Sequence, residues 1–163
     1  MRFVISFGII FSTLVIDLTS KWLIESVVMN PPRVIPVLPF FNLVIGHNRG
    51  VSFGLLNSDN PSTTYALIVF ALLIIVALSI ALWRSDNFIR AAGFAAIIGG
   101  ALSNVVDRFR DGGVTDFLDF YVGQYHWPAF NFADIAIFFG VISLLIPFGS
   151  STIPRRSSPR NVI

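Results

Sequence analysis

"HWPAFNFADIAIFFGVISLLIPF", residues 126–148, decides how the whole chain is read. From Asn131 to Phe148 it is apolar and long enough to be a membrane span, yet Asp134 sits about one helical turn inside its start. A carboxylate at the edge of hydrocarbon is costly and by default marks function. Asn131 stands three residues earlier, the spacing of an N-cap with a capping-box partner, so the pair also has a purely structural explanation. Pro147 helps stop the run.

The rest of the chain fits a membrane reading. Of 163 residues, 55% are hydrophobic and 12% charged, with a mean hydropathy of +0.78. A soluble domain this apolar would lack the polar surface to cover itself. The length suits a single domain. A formal charge of +2 and the lack of an aromatic-interleaved basic patch argue against nucleic acid as a partner. With no cysteine, there is no disulfide framework, thiolate metal site or cysteine nucleophile, and no anchoring through the chain's own acylated cysteine.

Three further runs match the first, giving spans at about 3–23, 65–83, 88–106 and 131–148. The first begins like a signal peptide, with Arg2 ahead of an apolar stretch. It then meets Asp17 and Lys21 instead of a small-residue cleavage site, and reads as an uncleaved span. Trp22, Tyr65, Trp83 and Trp127 stand at span ends, where amphipathic rings favour the headgroup level. Arginines are denser around Arg2, the Arg84/Arg90 loop and the Arg155, Arg156, Arg160 tail than on the other side, which places both termini in the cytoplasm. Residues 1–150 form one integral-membrane domain, and 151–163 a flexible basic tail. Within the outer segment 24–64, β-branched and aromatic residues alternate around "GHNRG" (46–50), predicting a β-hairpin turning there. The expected fold class is a mainly α membrane protein: four transmembrane helices, with a small outer β-hairpin between the first and second.

Polar residues collect at one face. Asp17 and Lys21 fall near the outer end of span one, spaced as a helix ion pair. Asn104, Asp107 and Arg108 share one face at the outer end of span three, and Asp116 lies in the outer connection. Asn131 and Asp134 open span four. Asp111 and Asp119 read as solvated loop acids, and His47 and His126 as surface residues without metal-site spacing. Two carboxylates brought together at a wet boundary repel, so one keeps a proton near neutral pH. Such a pair can hydrolyse an amide, the base deprotonating water and the acid protonating the oxyanion. Serine or cysteine chemistry has no matching constellation. A small proton-coupled transporter using paired aspartates is the alternative, but spans two and three are nearly free of polar residues until Asn104.

"DLTSK" (17–21), "NRGVSFG" (48–54), "NVVDR" (104–108), "VTDF" (114–117) and "FNFAD" (130–134), in that order, closely resemble lipoprotein signal peptidase, or signal peptidase II. The resemblance covers most of the chain. It implies a bacterial inner-membrane aspartic endopeptidase with four transmembrane helices and an extracytoplasmic β-cradle. Such an enzyme cuts prolipoproteins just before a diacylglyceryl-modified cysteine, and globomycin inhibits it. By the resemblance Asp116 and Asp134 are catalytic, while Asn48, Gly50, Asn104, Asp107, Arg108 and Asn131 contact substrate or support the site. Asp17 and Lys21 are structural. The chain is expected to act as a monomer among membrane lipids, with no cofactor, no metal, and the active site near the periplasmic face. Val51-Ser52 stands where many members have two alanines, and Leu18 where glutamine is common.

Overall fold

The structure is a computed structural model, and it describes residues 2–50 and 60–146. The expected tail at 151–163, Pro147, and the part of "NRGVSFG" beyond Gly50 lie outside the described residues.

Helix α1 runs Arg2–Leu23 and passes directly into a five-residue π-helix, Ile24–Val28, closed by Met29 N–H donating to the Ile24 carbonyl at 2.8 Å. Helix α2, Pro61–Arg84, starts with Asn60 accepting from Ser62 N–H at 3.0 Å and proline in the first turn, where its missing N–H costs nothing. Helix α3, Phe88–Asp111, is capped by Asn87 and stopped by Gly112, whose φ of 74° is a left-handed conformation that glycine adopts freely. Helix α4 is Phe132–Leu145. The first three are long and apolar enough to cross a membrane. At 14 residues, the described part of α4 reaches only about 21 Å, short of a full crossing.

The helices pack tightly around α3. A Cβ on Gly100 would lie 2.5 Å from the Ala133 carbonyl oxygen, and one on Gly140 would lie 2.8 Å from that of Gly93. Only hydrogen at these positions lets α3 and α4 approach so closely, the usual device where lipid gives helices no hydrophobic reason to associate. α4 packs on α3 and α1, whereas α2 packs chiefly on α3. At the end of the bundle away from the sheet, Arg2 donates to the Ser85 carbonyl and pairs with Asp86 at 3.1 Å.

The other end carries a four-stranded antiparallel sheet in chain order: β1 Ile35–Leu38, β2 Phe41–Asn48, β3 Val114–Val122 and β4 Tyr125–His126. Two expectations are corrected here. The hairpin turns at Pro39-Phe40, so Gly46, His47 and Asn48 are the end of a strand and not a turn. The connection after α3 is not a loop: it supplies β3, paired with β2 through Gly46↔Asp116 and Asn48↔Val114. Met29, Ile24, Phe117 and Leu118 form the core beneath the sheet, where the π-helix meets β3.

Asp119 is corrected with them, whereas His126 is exposed as expected. Asp119 is buried in β3, accepts from Asn42 Nδ2 at 3.0 Å, and faces His126 Nδ1 at 2.8 and 2.9 Å. Its partners come from two other strands, which is why neighbouring sequence made it look solvated.

Candidate active site

The site is built where the start of α4 is pushed into the bundle. A helix start leaves its first N–H groups unpaired, and burying them demands acceptors. Ala133 N–H donates to Asp17 Oδ1 of α1 at 2.8 Å. Asp134 N–H donates to Asn131 Oδ1 at 3.0 Å, and Asn131 N–H returns a bond to Asp134 Oδ2 at 3.3 Å, completing a capping box. Both carboxylates also lie at the positive end of the α4 dipole. Asp134 is therefore at once a cap and a candidate for chemistry.

Behind it lies a dry ionic cluster. Lys21 Nζ contacts Asp17 Oδ2 at 2.6 Å and Asp107 Oδ2 at 2.7 Å, with all three side chains fully buried. Its remaining hydrogen bond goes to Asn104 Oδ1 at 3.0 Å. An ammonium has three protons and no acceptor, so this lysine is saturated. The consequence falls on Asn104: with its oxygen held by Lys21, its amide nitrogen must point the other way, and it donates to Asp134 Oδ1 at 3.1 Å. Ser103 Oγ donates to Asp17 Oδ2 at 2.7 Å, leaving Asp17 fully engaged.

Asp116 comes from β3 across the same space. Asn131 Nδ2 donates to Asp116 Oδ1 at 2.7 Å, and Asn48 Nδ2 of β2 donates to Asp116 Oδ2 at 3.3 Å. Gly50 N–H holds the Asn48 oxygen at 3.1 Å, and the Gly50 carbonyl accepts from Arg108 Nη2 at 2.7 Å. Arg108 Nη1 closes the ring on the Asn104 carbonyl at 3.4 Å. The bonds thus run around a circuit through Asp134, Asn104, Arg108, Gly50, Asn48, Asp116 and Asn131. Asp17, Lys21 and Asp107 buttress it from behind, so all ten residues singled out from the sequence belong to one connected set.

Sequence reasoning missed Thr115, the residue that fixes Asp116 from the backbone side. Its N–H donates to Asp107 Oδ2 at 3.4 Å, its carbonyl accepts from Asn131 Nδ2 at 3.4 Å, and its hydroxyl donates to Glu25 of the π-helix. Adjacency to Asp116 was the only signal for it. Glu25 carried none, because only the fold brings the π-helix under β3. His47 is exposed, as expected, and also lines the same cavity as the carboxylates.

Both aspartates open into a cavity of about 1510 Å³. Leu67, Phe70 and Ile74 of α2 line one side, Ile135 and Phe138 of α4 another, and Phe120 and Phe130 the sheet end. Burial, and next the charge of Asp134, push the Asp116 carboxyl from 3.8 up to about 7, against the opposing hydrogen bonds from Asn48 and Asn131. Between those values the native state holds a proton that the unfolded chain has released. Stability from this group is therefore fully present below about pH 3.8 and is lost as pH rises through about 7. Thermal unfolding in detergent should show native stability declining across that window, and Asp116→Asn should flatten the decline. An undiminished slope in the variant would remove Asp116 as its source.

No group of three or more potential metal-ligating acids and histidines occurs among the described residues. What the arrangement offers is a buried pair of carboxylates lining one largely apolar cavity.

Comparison with known proteins shows the family. A family model described as signal peptidase (SPase) II matches residues 9–148. The chain is 42% identical over 146 residues to the lipoprotein signal peptidase of Solibacter usitatus, covering 86% of this chain and 88% of that one. It is 36% identical over 160 residues to that of Nitratidesulfovibrio vulgaris, covering 97% of each. It is also similar to two solved bacterial membrane enzyme structures, one with a TM-score of 0.76 at 26% identity over 94% of this chain and 93% of that chain, the other with 0.74 at 27% over 90% and 94%.

Proposed function

The chain belongs to the signal peptidase II family, and on that premise we propose that Asp116 and Asp134 together activate the water that cuts a prolipoprotein. The protein is a multi-pass membrane protease that processes lipoproteins. The observation that carries the proposal for the two aspartates is Asn131. One residue donates from its side chain to Asp116 and from its backbone to Asp134, so the two carboxylates are held as a pair lining one cavity.

The pair works as follows. With a single proton between them, the ionised carboxylate takes a proton from water as the oxygen attacks the scissile carbonyl. The protonated partner gives its proton to the developing oxyanion. Reversal of these roles delivers a proton to the leaving amine, and no acyl-enzyme forms. The amides of Asn48, Asn104 and Asn131 keep the carboxylate oxygens in place while charge moves. Arg108, lining the same cavity, supplies positive charge toward the substrate backbone.

The sheet end would face the periplasm and the Arg2 end the cytoplasm of a bacterial inner membrane. The substrate's signal helix lies between α2 and α4, with the diacylglyceryl chains against the phenylalanines and leucines that line that gap. The chain works as a monomer among lipids, and globomycin competes for the same cavity. A transporter reading lacks support: apart from Ser6, the buried polar residues within the described helices all lie toward the sheet end.

Purified protein should cut a diacylglyceryl prolipoprotein just before the modified cysteine and stop on addition of globomycin, as read by mass spectrometry of the products. Equal cleavage of the unlipidated precursor would refute the substrate assignment.

A further inference from the structure

Asp119 is a buried carboxylate that the chemistry above does not use. It lies on β3 three residues beyond Asp116, opposite its register partner Asn42, whose amide donates to Oδ2 at 3.0 Å. Both its oxygens face His126 Nδ1, at 2.8 and 2.9 Å. A carboxylate oxygen accepts, so Nδ1 carries the hydrogen. The Tyr121 ring stacks on the imidazole with centroids 5.0 Å apart.

The strand this holds is very short. β4 is only Tyr125–His126, paired to Tyr121 and Val122, and a ladder of that length is marginal in water without side-chain support. Directly after His126 the chain turns along the cavity as Trp127, Pro128, Ala129 and Phe130. Trp127 N–H donates to the Phe120 carbonyl at 2.8 Å, and Phe130 N–H to that of Leu118 at 3.1 Å. Phe120 stacks between Phe41 and Phe130. Releasing His126 would leave this wall to its backbone bonds and ring contacts alone. Asp116 would stay in place, because its hydrogen bonds come from Asn48 and Asn131.

We propose that Asp119 and His126 form a latch that keeps the β3–β4 hairpin closed and positions the Trp127–Phe130 wall, and that this wall sets the hold on the polypeptide following the cut. The second half rests on the function proposed above. A signal helix occupying the gap between α2 and α4 leaves the mature chain to exit past the sheet, where this wall stands. Asp119 and His126 are positioning residues: they act through the wall and touch no reacting atom.

The test uses the full chain in nanodiscs with two substitutions, His126→Ala and His126→Asn. The amide nitrogen of asparagine can replace Nδ1 as the donor to Asp119. Hydrogen exchange at the Trp127 and Phe130 amides reads the latch without reference to catalysis, and prolipoprotein cleavage reads its consequence. For His126→Ala, exchange should accelerate about tenfold and KM rise about fivefold, the scale of one lost charge-assisted hydrogen bond, with kcat within about twofold of the parent. The thermal midpoint should fall by no more than a few degrees, and His126→Asn should restore most of both effects. Unchanged exchange, a fall in kcat in place of a rise in KM, or asparagine behaving like alanine would each overturn the proposal. Faster exchange in a protein that cuts no prolipoprotein would support the latch and sink the proposed substrate instead.

Discussion

Asp116→Asn and Asp134→Asn should each lower the cleavage rate at saturating substrate by about a thousandfold or more while leaving the protein folded. A positioned acid or base contributes about 10²–10⁴ on its own, and here each carboxylate serves as both in turn. Asparagine keeps the shape and one acceptor oxygen. Asn131 or Asn104 can therefore still donate to position 134, and Asn131 or Asn48 to position 116. What is lost is the proton site. Because the two groups act as a unit, the double variant should be no slower than the worse single one. Single-turnover cleavage, with thermal unfolding as the fold control, decides the matter. A parental rate in either single variant would remove that residue from the chemistry, and losses that multiply in the double would mean the two do not share one proton.

The second large effect is on stability. Lys21→Met should leave Asp17 and Asp107 fully buried without their counter-charge. Breaking a buried pair by deleting one partner costs about 3–5 kcal/mol, which for a chain of this length corresponds to a midpoint lower by about 10 °C. Asp17→Asn should cost clearly less, because Lys21 and Asp107 remain as a neutral pair and the asparagine oxygen can still accept from Ala133 N–H. The order of the two variants matters more than either magnitude. If Asp17→Asn proved the worse, the role of Asp17 in capping α4 would outweigh the charge balance. Lys21→Met should also release the Asn104 amide from its fixed orientation, so whatever folded fraction survives should cut slowly.

Much of this was legible in the sequence, for particular reasons. A span announces itself by composition alone, so α1, α2 and α3 appear as unbroken apolar runs. Eight of the ten candidate residues stood out because ionisable and amide groups are rare in and beside such runs and collect at one depth, whereas Asn48 and Gly50 came only from the resemblance carried by "NRGVSFG". The strands were less legible. The stretch from Val114 to Asp119 is buried on both faces, so the alternation that betrays a half-exposed strand is absent. The strand also pairs with β2, far away in the chain. "GHNRG" has the composition of a turn, yet Gly46 lies where β2 passes close to the Asp116 backbone: a Cβ there would be 3.5 Å from its carbonyl oxygen. The same non-local pairing concealed Asp119, Thr115 and Glu25, whose partners all lie on other elements.

Since α2 rests mainly on α3, no helix among the described residues closes the wide apolar cavity on the far side of α2 and α4. On the proposed function, hydrocarbon tails would enter that cavity in a bilayer, and an arriving signal helix would trade places with them. Such an exchange of oil for oil yields little free energy. Discrimination between one precursor and another is therefore left to the few polar contacts at the reacting bond, and the lipid composition of the host membrane becomes a competitor in every binding event.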